Sequence, residues 1–123
     1  MEKVLIVDDN RASRDLVRAI LKTVRCDIAE LTDGQEALDL IHQERPDSVL
    51  LDIDMPGLDG LAVIKKIRED ASLADLPVVA VTASAMNGDC EKGMAAGFTR
   101  YLTKPVRAAA LRQQVQQLLG TRA

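Results

Sequence analysis

The sequence predicts an α/β protein, a doubly wound parallel sheet of five strands alternating with five helices. Three observations predict it. Short unbroken apolar runs stand at 3–7 (KVLIV), 48–52 (SVLLD) and 78–81 (VVAV). Longer stretches between them repeat their apolar residues at helical spacing. Glycines and prolines fall between the two kinds of segment, where turns need them. Strands and helices in strict alternation imply right-handed crossovers and a parallel sheet with helices on both faces.

Strands buried on both faces read as continuous apolar runs, so VLIV, VLL and VVAV belong at the centre of the sheet. The first helix follows, with Leu16, Ile20 and Val24 four apart and Val17 and Leu21 beside them, while Arg14, Asp15, Arg18 and Lys22 point away. CDIAEL (26–31) is a second, more mixed strand, expected at an edge. Ala37, Leu38 and Ile41 mark the second helix, whose polar side carries His42, a surface residue with no second histidine or cysteine at metal spacing. Leu61, Ile64 and Ile67 mark the third helix, and Met86, Cys90 and Met94 the fourth. FTRYL (98–102) is the fifth strand and the other edge, and Leu111, Val115 and Leu118 give the last helix its buried stripe. The terminal GTRA is expected to fray.

A chain of 123 residues fits one domain, taken here as residues 1–123, with enough core to fold without disulfides or a structural metal. Hydrophobic residues at 47% and charged residues at 28% suit a soluble globular protein. The net charge of -3 provides no broad basic surface, so no direct nucleic-acid partner is expected. Phe98 and Tyr101 are the whole aromatic complement, which leaves little for stacking on a base or flavin. Cys26 and Cys90 have no metal-type spacing and read as reduced and structural. No apolar run approaches the ~20 residues of a membrane span, and a cytoplasmic location is the expectation.

The residues that carry chemistry stand at strand ends. Asp8 and Asp9 end the first strand, Asp52 the third and Thr82 the fourth, and Lys104 follows the fifth. In an open doubly wound sheet the carboxyl ends form the binding crevice, so these distant residues converge. Clustered carboxylates repel unless a cation offsets them, and a hard oxygen set of this kind suits Mg²⁺. A carboxylate can act as nucleophile towards phosphorus, and Asp52 is best placed to do so. The turn after it, Asp54-Met55-Pro56-Gly57, lets a backbone carbonyl face the metal. Lys104 can neutralise a phosphoryl oxygen, and the Thr82 hydroxyl can bond another.

VLIVDDN (4–10), LLDIDMPGLDG (50–60), VVAVTA (78–83) and YLTKP (101–105), in this order and at these separations, resemble the receiver domain of response regulators over essentially the whole chain. That resemblance implies a flavodoxin-like fold with strand order 2-1-3-4-5. It implies Asp52 as phosphoacceptor, Asp9 as direct magnesium ligand with Asp8 acting through water, and the Asp54 backbone carbonyl as a further ligand. It assigns Lys104 to the acceptor or its phosphate, Thr82 to the phosphoryl group, and Tyr101 to the aromatic position that turns inward on activation. Arg11 and Arg14 read as a solvated face at the pocket mouth, where a phosphohistidine donor docks in that family.

The donor is expected to be a histidine kinase or a histidine phosphotransfer protein, and no P-loop or kinase glycine motif is present for direct use of ATP. Output is expected through protein contacts on the face of the fourth helix, fifth strand and fifth helix, since no effector domain follows. LPVVAVTASAMNGD and YLTKPV most resemble stand-alone receivers of the DivK type and receivers of hybrid histidine kinases. Asp52-Ile53-Asp54 also resembles the nucleophile motif of haloacid-dehalogenase phosphatases, but there it ends the first strand and a later acidic pair follows. A flavodoxin-like electron carrier would share the architecture but calls for a hydroxyl-rich phosphate loop in place of Asp8 and Asp9.

Overall fold

The computed structural model describes residues 2–55, 60–83, 94–104 and 106–120. Five parallel strands, β1 (Lys3–Val7), β2 (Asp27–Leu31), β3 (Ser48–Asp52), β4 (Val78–Thr82) and β5 (Arg100–Thr103), form one sheet in the order β2-β1-β3-β4-β5. The helices are α1 (Arg11–Leu21), α2 (Ala37–Glu44), α3 (Gly60–Glu69), α4 (94–96) and α5 (Ala108–Gly120). Short 3-10 turns precede α2, at Gly34–Glu36, and follow α3, at Ala71–Leu73. β2 and β5 take the edges, as their mixed composition predicts. Of the stripe expected for the fourth helix, Met86 and Cys90 lie outside the described residues, as does the terminal segment 121–123.

Side chains alternate across each strand, so the sheet separates two apolar layers. Val4, Ile6, Leu50, Val79, Val81 and Leu102 face α1 and α5, where Val17, Ile20, Leu21, Leu111, Val115 and Leu118 cover them. Leu5, Val7, Val49, Leu51, Val78 and Ala80 face the other way, against Ile41 of α2, Ile64 and Ile67 of α3, and Phe98. Every residue of β3 and β4 is buried, which is why those strands needed continuous apolar sequence.

Local chemistry sets the helix ends. The Asn10 side chain accepts from the Ser13 amide at 2.9 Å and starts α1 directly after the paired aspartates. Arg45 ends α2 in the left-handed region at φ 49°, its amide donating to the Ile41 carbonyl at 2.9 Å. Among the described residues no helix is long and apolar enough to cross a membrane.

Three details depart from the sequence reading. Leu16, Leu61 and Met94, placed on buried stripes, are 47%, 36% and 49% exposed; Leu16 and Leu61 each stand at the margin of the helix's apolar face. β5 begins at Arg100, two residues after the expected start; Phe98 is already in the core, and the Thr99 hydroxyl accepts from the Val78 amide at 3.0 Å. His42 is part-exposed, as expected, yet its Nε2 meets the Asp70 carboxylate at 2.8 Å, joining α2 to the turn after α3.

Arg68 of α3 holds the approach to β5. Its Nε donates to the Gly97 carbonyl at 2.9 Å, its Nη1 to the Leu73 carbonyl at 3.0 Å, and its Nη2 to the Thr99 hydroxyl at 3.4 Å. Gly97 itself has φ +128°, and a Cβ there would lie 2.6 Å from Cγ of Arg68. Gly97→Ala therefore combines a disfavoured backbone with a clash against a side chain pinned at its head group. The expected result is a lower urea midpoint corresponding to about 1–3 kcal/mol; a midpoint equal to wild type would remove the clamp from the account.

Candidate functional site

Ladder hydrogen bonds continue one residue past several strand ends and carry the special residues into register. The Asp8 amide donates to the Leu31 carbonyl at 3.0 Å, the Ile53 amide to the Val81 carbonyl at 3.1 Å, and the Lys104 amide to the Thr82 carbonyl at 2.8 Å. Asp8, Asp52, Thr82 and Lys104 are thus fixed at the same edge of the sheet by main-chain bonding.

Asp8, Asp9 and Asp52 each present a carboxylate oxygen, and these oxygens all lie within 4.8 Å of one another. Asp8 and Asp52 are buried, at 5% and 3% exposure, and Asp9 is exposed. Both oxygens of Asp52 are occupied: Oδ2 accepts from Lys104 Nζ at 2.7 Å, and Oδ1 from the Asp54 amide at 2.8 Å. Its carboxylate is therefore held in one orientation by two donors, within reach of the Asp8 and Asp9 carboxylates.

Asp54 is tied in by its side chain as well as its main chain. Its Oδ1 accepts from the Thr82 hydroxyl at 3.0 Å and its Oδ2 from the Ala83 amide at 2.6 Å. The hydroxyl expected to meet a phosphoryl oxygen is thus bonded to a carboxylate across the mouth of the crevice. Tyr101 is half-buried on the opposite sheet face from α1 and α5, its ring edge-on to Phe98 with centroids 5.8 Å apart. Ser84 and Pro105, which flank the site in sequence, lie outside the described residues.

The environment is asymmetric. A cavity of about 430 Å³ opens beside Asp8, Asp52 and Lys104 and is walled by Val17, Leu50, Val81 and Val106. Burial is the main reason that the Asp8 carboxyl is pushed up from 3.8 to about 6; the Asn10 amide acts against it, while the charge of Asp52 and a hydrogen bond with it add to the rise. Burial alone would lower Lys104, but its hydrogen bond and ion pair with Asp52, with Asp8 and Asp54 adding charge, outweigh that, and the net shift is upward. Lys104 therefore stays an ammonium throughout the neutral range.

Contacts made across the fold were missed by sequence reasoning. Arg14, read as part of a solvated face, has a side chain only 15% exposed; its Nη1 donates to the Asp8 carbonyl at 2.8 Å and its Nε lies 3.6 Å from Glu30. Arg11 does lie in solvent, at 87% exposure. The available signal was an arginine one helical turn after the paired aspartates, which is too common to distinguish a surface charge from a brace.

Comparison with known proteins points one way. Residues 4–116 match the family described as the response regulator receiver domain. The chain is 36% identical to the polar-differentiation response regulator DivK of Brucella anthropi over 119 residues, 97% of each sequence. It is also similar in structure to a chemotaxis response regulator of Vibrio cholerae, with TM-score 0.87, 29% identity, and coverage of 96% of this chain and 98% of the other. A second similar structure is the receiver domain of a sensor histidine kinase from Pseudomonas aeruginosa, with a magnesium ion coordinated in its active-site cleft; the TM-score is 0.86 at 31% identity, covering 97% and 98% of the two chains. Asp52 ends the third strand of this fold, not the first, which separates it from the phosphatase motif that Asp52-Ile53-Asp54 resembles.

The raised Asp8 pKa has a measurable sign. The folded protein holds this proton more tightly than the unfolded chain, so its contribution favours folding below about pH 4 and is lost as pH rises through about 6. Asp8→Asn removes the titration. In chelator its stability relative to wild type is expected to grow across that window, reaching on the order of 1 kcal/mol at neutral pH. Urea unfolding of both proteins at several pH values measures it, and a difference independent of pH would overturn the buried-carboxyl account.

Proposed function

The chain belongs to the response regulator receiver domain family and so to two-component signalling, and from that premise we propose that it accepts a phosphoryl group on Asp52 from a phosphohistidine donor, with Mg²⁺ bound beside it. The donor is a histidine kinase or a histidine phosphotransfer protein, and the phosphorylated form acts on a protein target. The observation that carries this reading is the state of Asp52: a buried carboxylate, held at each oxygen by a separate donor, in contact range of Asp8 and Asp9.

The residues present fit Mg²⁺. Asp8, Asp9 and Asp52 offer hard carboxylate oxygens close enough to serve one ion, and a divalent cation would relieve the repulsion among them. Asp9 and Asp52 would bind directly, Asp8 through water, and the Asp54 carbonyl would complete the protein ligands. Bound there, the ion neutralises charge on the transferring phosphoryl group and holds it against the acceptor.

The protein's own groups supply the rest. An Asp52 oxygen attacks phosphorus as the phosphorus–nitrogen bond of the donor breaks; the electron pair leaves with the imidazole and an acyl phosphate forms. Lys104, already paired with Asp52, transfers its contact to a phosphoryl oxygen as a point charge. The Thr82 hydroxyl and Ala83 amide, bonded to Asp54 before phosphorylation, are the donors nearest in the chain for the remaining oxygens. Taking them up draws the end of β4 towards the phosphate, and Tyr101 on neighbouring β5 is the group through which that shift reaches the face of α4, β5 and α5. Self-phosphorylation from a small donor and slow self-hydrolysis belong to the same site.

Acetyl phosphate with Mg²⁺ is expected to add one phosphoryl group to wild type, located at Asp52 by mass spectrometry, and to add none to Asp52→Asn or in excess chelator. Labelling that survives either change would overturn the assignment of acceptor and metal. Beryllofluoride with Mg²⁺ is expected to move amide signals at Ala95 and Tyr101 as well as those beside the carboxylates. Shifts confined to residues around Asp8, Asp9 and Asp52 would remove the α4, β5 and α5 face from the output.

A further inference from the structure

We infer that Arg14 is a positioning residue for the metal ligands: it holds the Asp8–Asp9 peptide in the orientation that brings both carboxylates to Asp52. The inference rests on the reading of this cluster as a magnesium site.

The geometry is that of a brace between three elements. Arg14 lies on α1, and its Nη1 donates to the carbonyl oxygen of Asp8 at 2.8 Å. Its Nε lies 3.6 Å from Glu30 on β2, and Glu30 is itself held by Arg18 Nη2 at 3.1 Å. The side chain is 15% exposed, so the contact is not a loose surface pairing. A peptide group is planar, and fixing the direction of the Asp8 carbonyl therefore fixes the Asp9 amide and the place of the Asp9 Cα from which its side chain departs. On the other flank the Asn10 amide donates to Asp8 Oδ1 at 2.9 Å. Asp8 is thus oriented at both its carbonyl and its carboxylate, whereas Asp9, the exposed member of the cluster, has its direction set through the peptide that Arg14 grips.

A guanidinium suits this task better than an ammonium because its planar fork serves the carbonyl and the carboxylate together. Charge and positioning make opposite predictions. Removing a cation near a metal site makes the local potential more negative and tightens Mg²⁺ binding, whereas releasing the Asp8–Asp9 peptide disorders two ligands and weakens it. Arg11, exposed and, among the described residues, paired with Asp15 alone at 3.8 Å, provides the charge control.

The test is a Mg²⁺ titration of the full metal-free protein, followed by amide shifts, with unfolding in chelator measured in parallel. Arg14→Gln is expected to raise the dissociation constant roughly tenfold, the scale for losing a group that orients a ligand. Arg14→Lys is expected to recover only part of that loss, and Arg11→Gln to leave affinity unchanged or slightly tighter. Should Arg14→Gln not fold, Glu30→Gln, which removes the brace on Arg14, carries the test with a smaller weakening. An Arg14 variant, or in its place Glu30→Gln, that binds Mg²⁺ within twofold of wild type, or more tightly, overturns the assignment, even if its stability in chelator falls. Absence of a saturable Mg²⁺ response in wild type would overturn the metal reading and this inference with it, so the two failures are distinguishable.

Discussion

Lys104 reaches past the end of β4 to place its ammonium 2.7 Å from Asp52, and that contact makes the crowding of Asp8, Asp9 and Asp52 tolerable. Like charges about 4 Å apart repel by on the order of a few kcal/mol at a protein-like dielectric, and burial raises the penalty. The strain is not shared evenly. Asp52 has an ammonium and an amide, whereas Asp8 faces the apolar cavity with the Asn10 amide and the Asp52 carboxylate, but no ammonium, hydrogen-bonded to its carboxyl among the described residues. The proton affinity of the cluster accordingly rises at Asp8.

The two apolar layers supply the rigidity that such an arrangement requires. β3 and β4 are buried along their whole length, and the ladder continues past β3 into Ile53 and past β5 into Lys104. The Asp52 backbone is therefore fixed by sheet bonds, and its carboxylate cannot turn away without breaking its bonds to Lys104 and the Asp54 amide. Asp54, by contrast, sits beyond the ladder and satisfies Thr82 and Ala83 with its side chain, an arrangement that can be exchanged for another without disturbing the core. The crevice joins a fixed carboxylate to replaceable hydrogen-bond partners, which suits the reversible signal proposed for it.

Much of this was legible in the sequence because burial on both faces writes itself as continuous apolar runs. KVLIV and SVLLD were located to the residue, and the aspartates, threonine and lysine that follow those runs were placed at one edge by topology alone. The parts that escaped depend on tertiary neighbours. Leu16 and Leu61 sit at stripe margins, where a few degrees of helix rotation decide exposure. Arg14 folds inward because a carbonyl on β1 and a carboxylate on β2 happen to stand within one side-chain length, and nothing in the residues around Arg14 encodes that. The Asp54 side chain escaped for the same reason, its partners lying 28 and 29 residues further along the chain.

The separation of Asp52 and Lys104 by 52 residues, with β4 lying between their strands, also makes this chemistry a reporter of folding. A chain with β5 unpaired lacks the ammonium, and one with β1 unpaired lacks two of the carboxylates. Contacts between segments so far apart form only when the intervening chain has closed, and small domains reach that point in a single cooperative transition. On the proposed reading, half-folded molecules would be mute to a donor, and the traffic of phosphate through a population of these chains would count native copies alone.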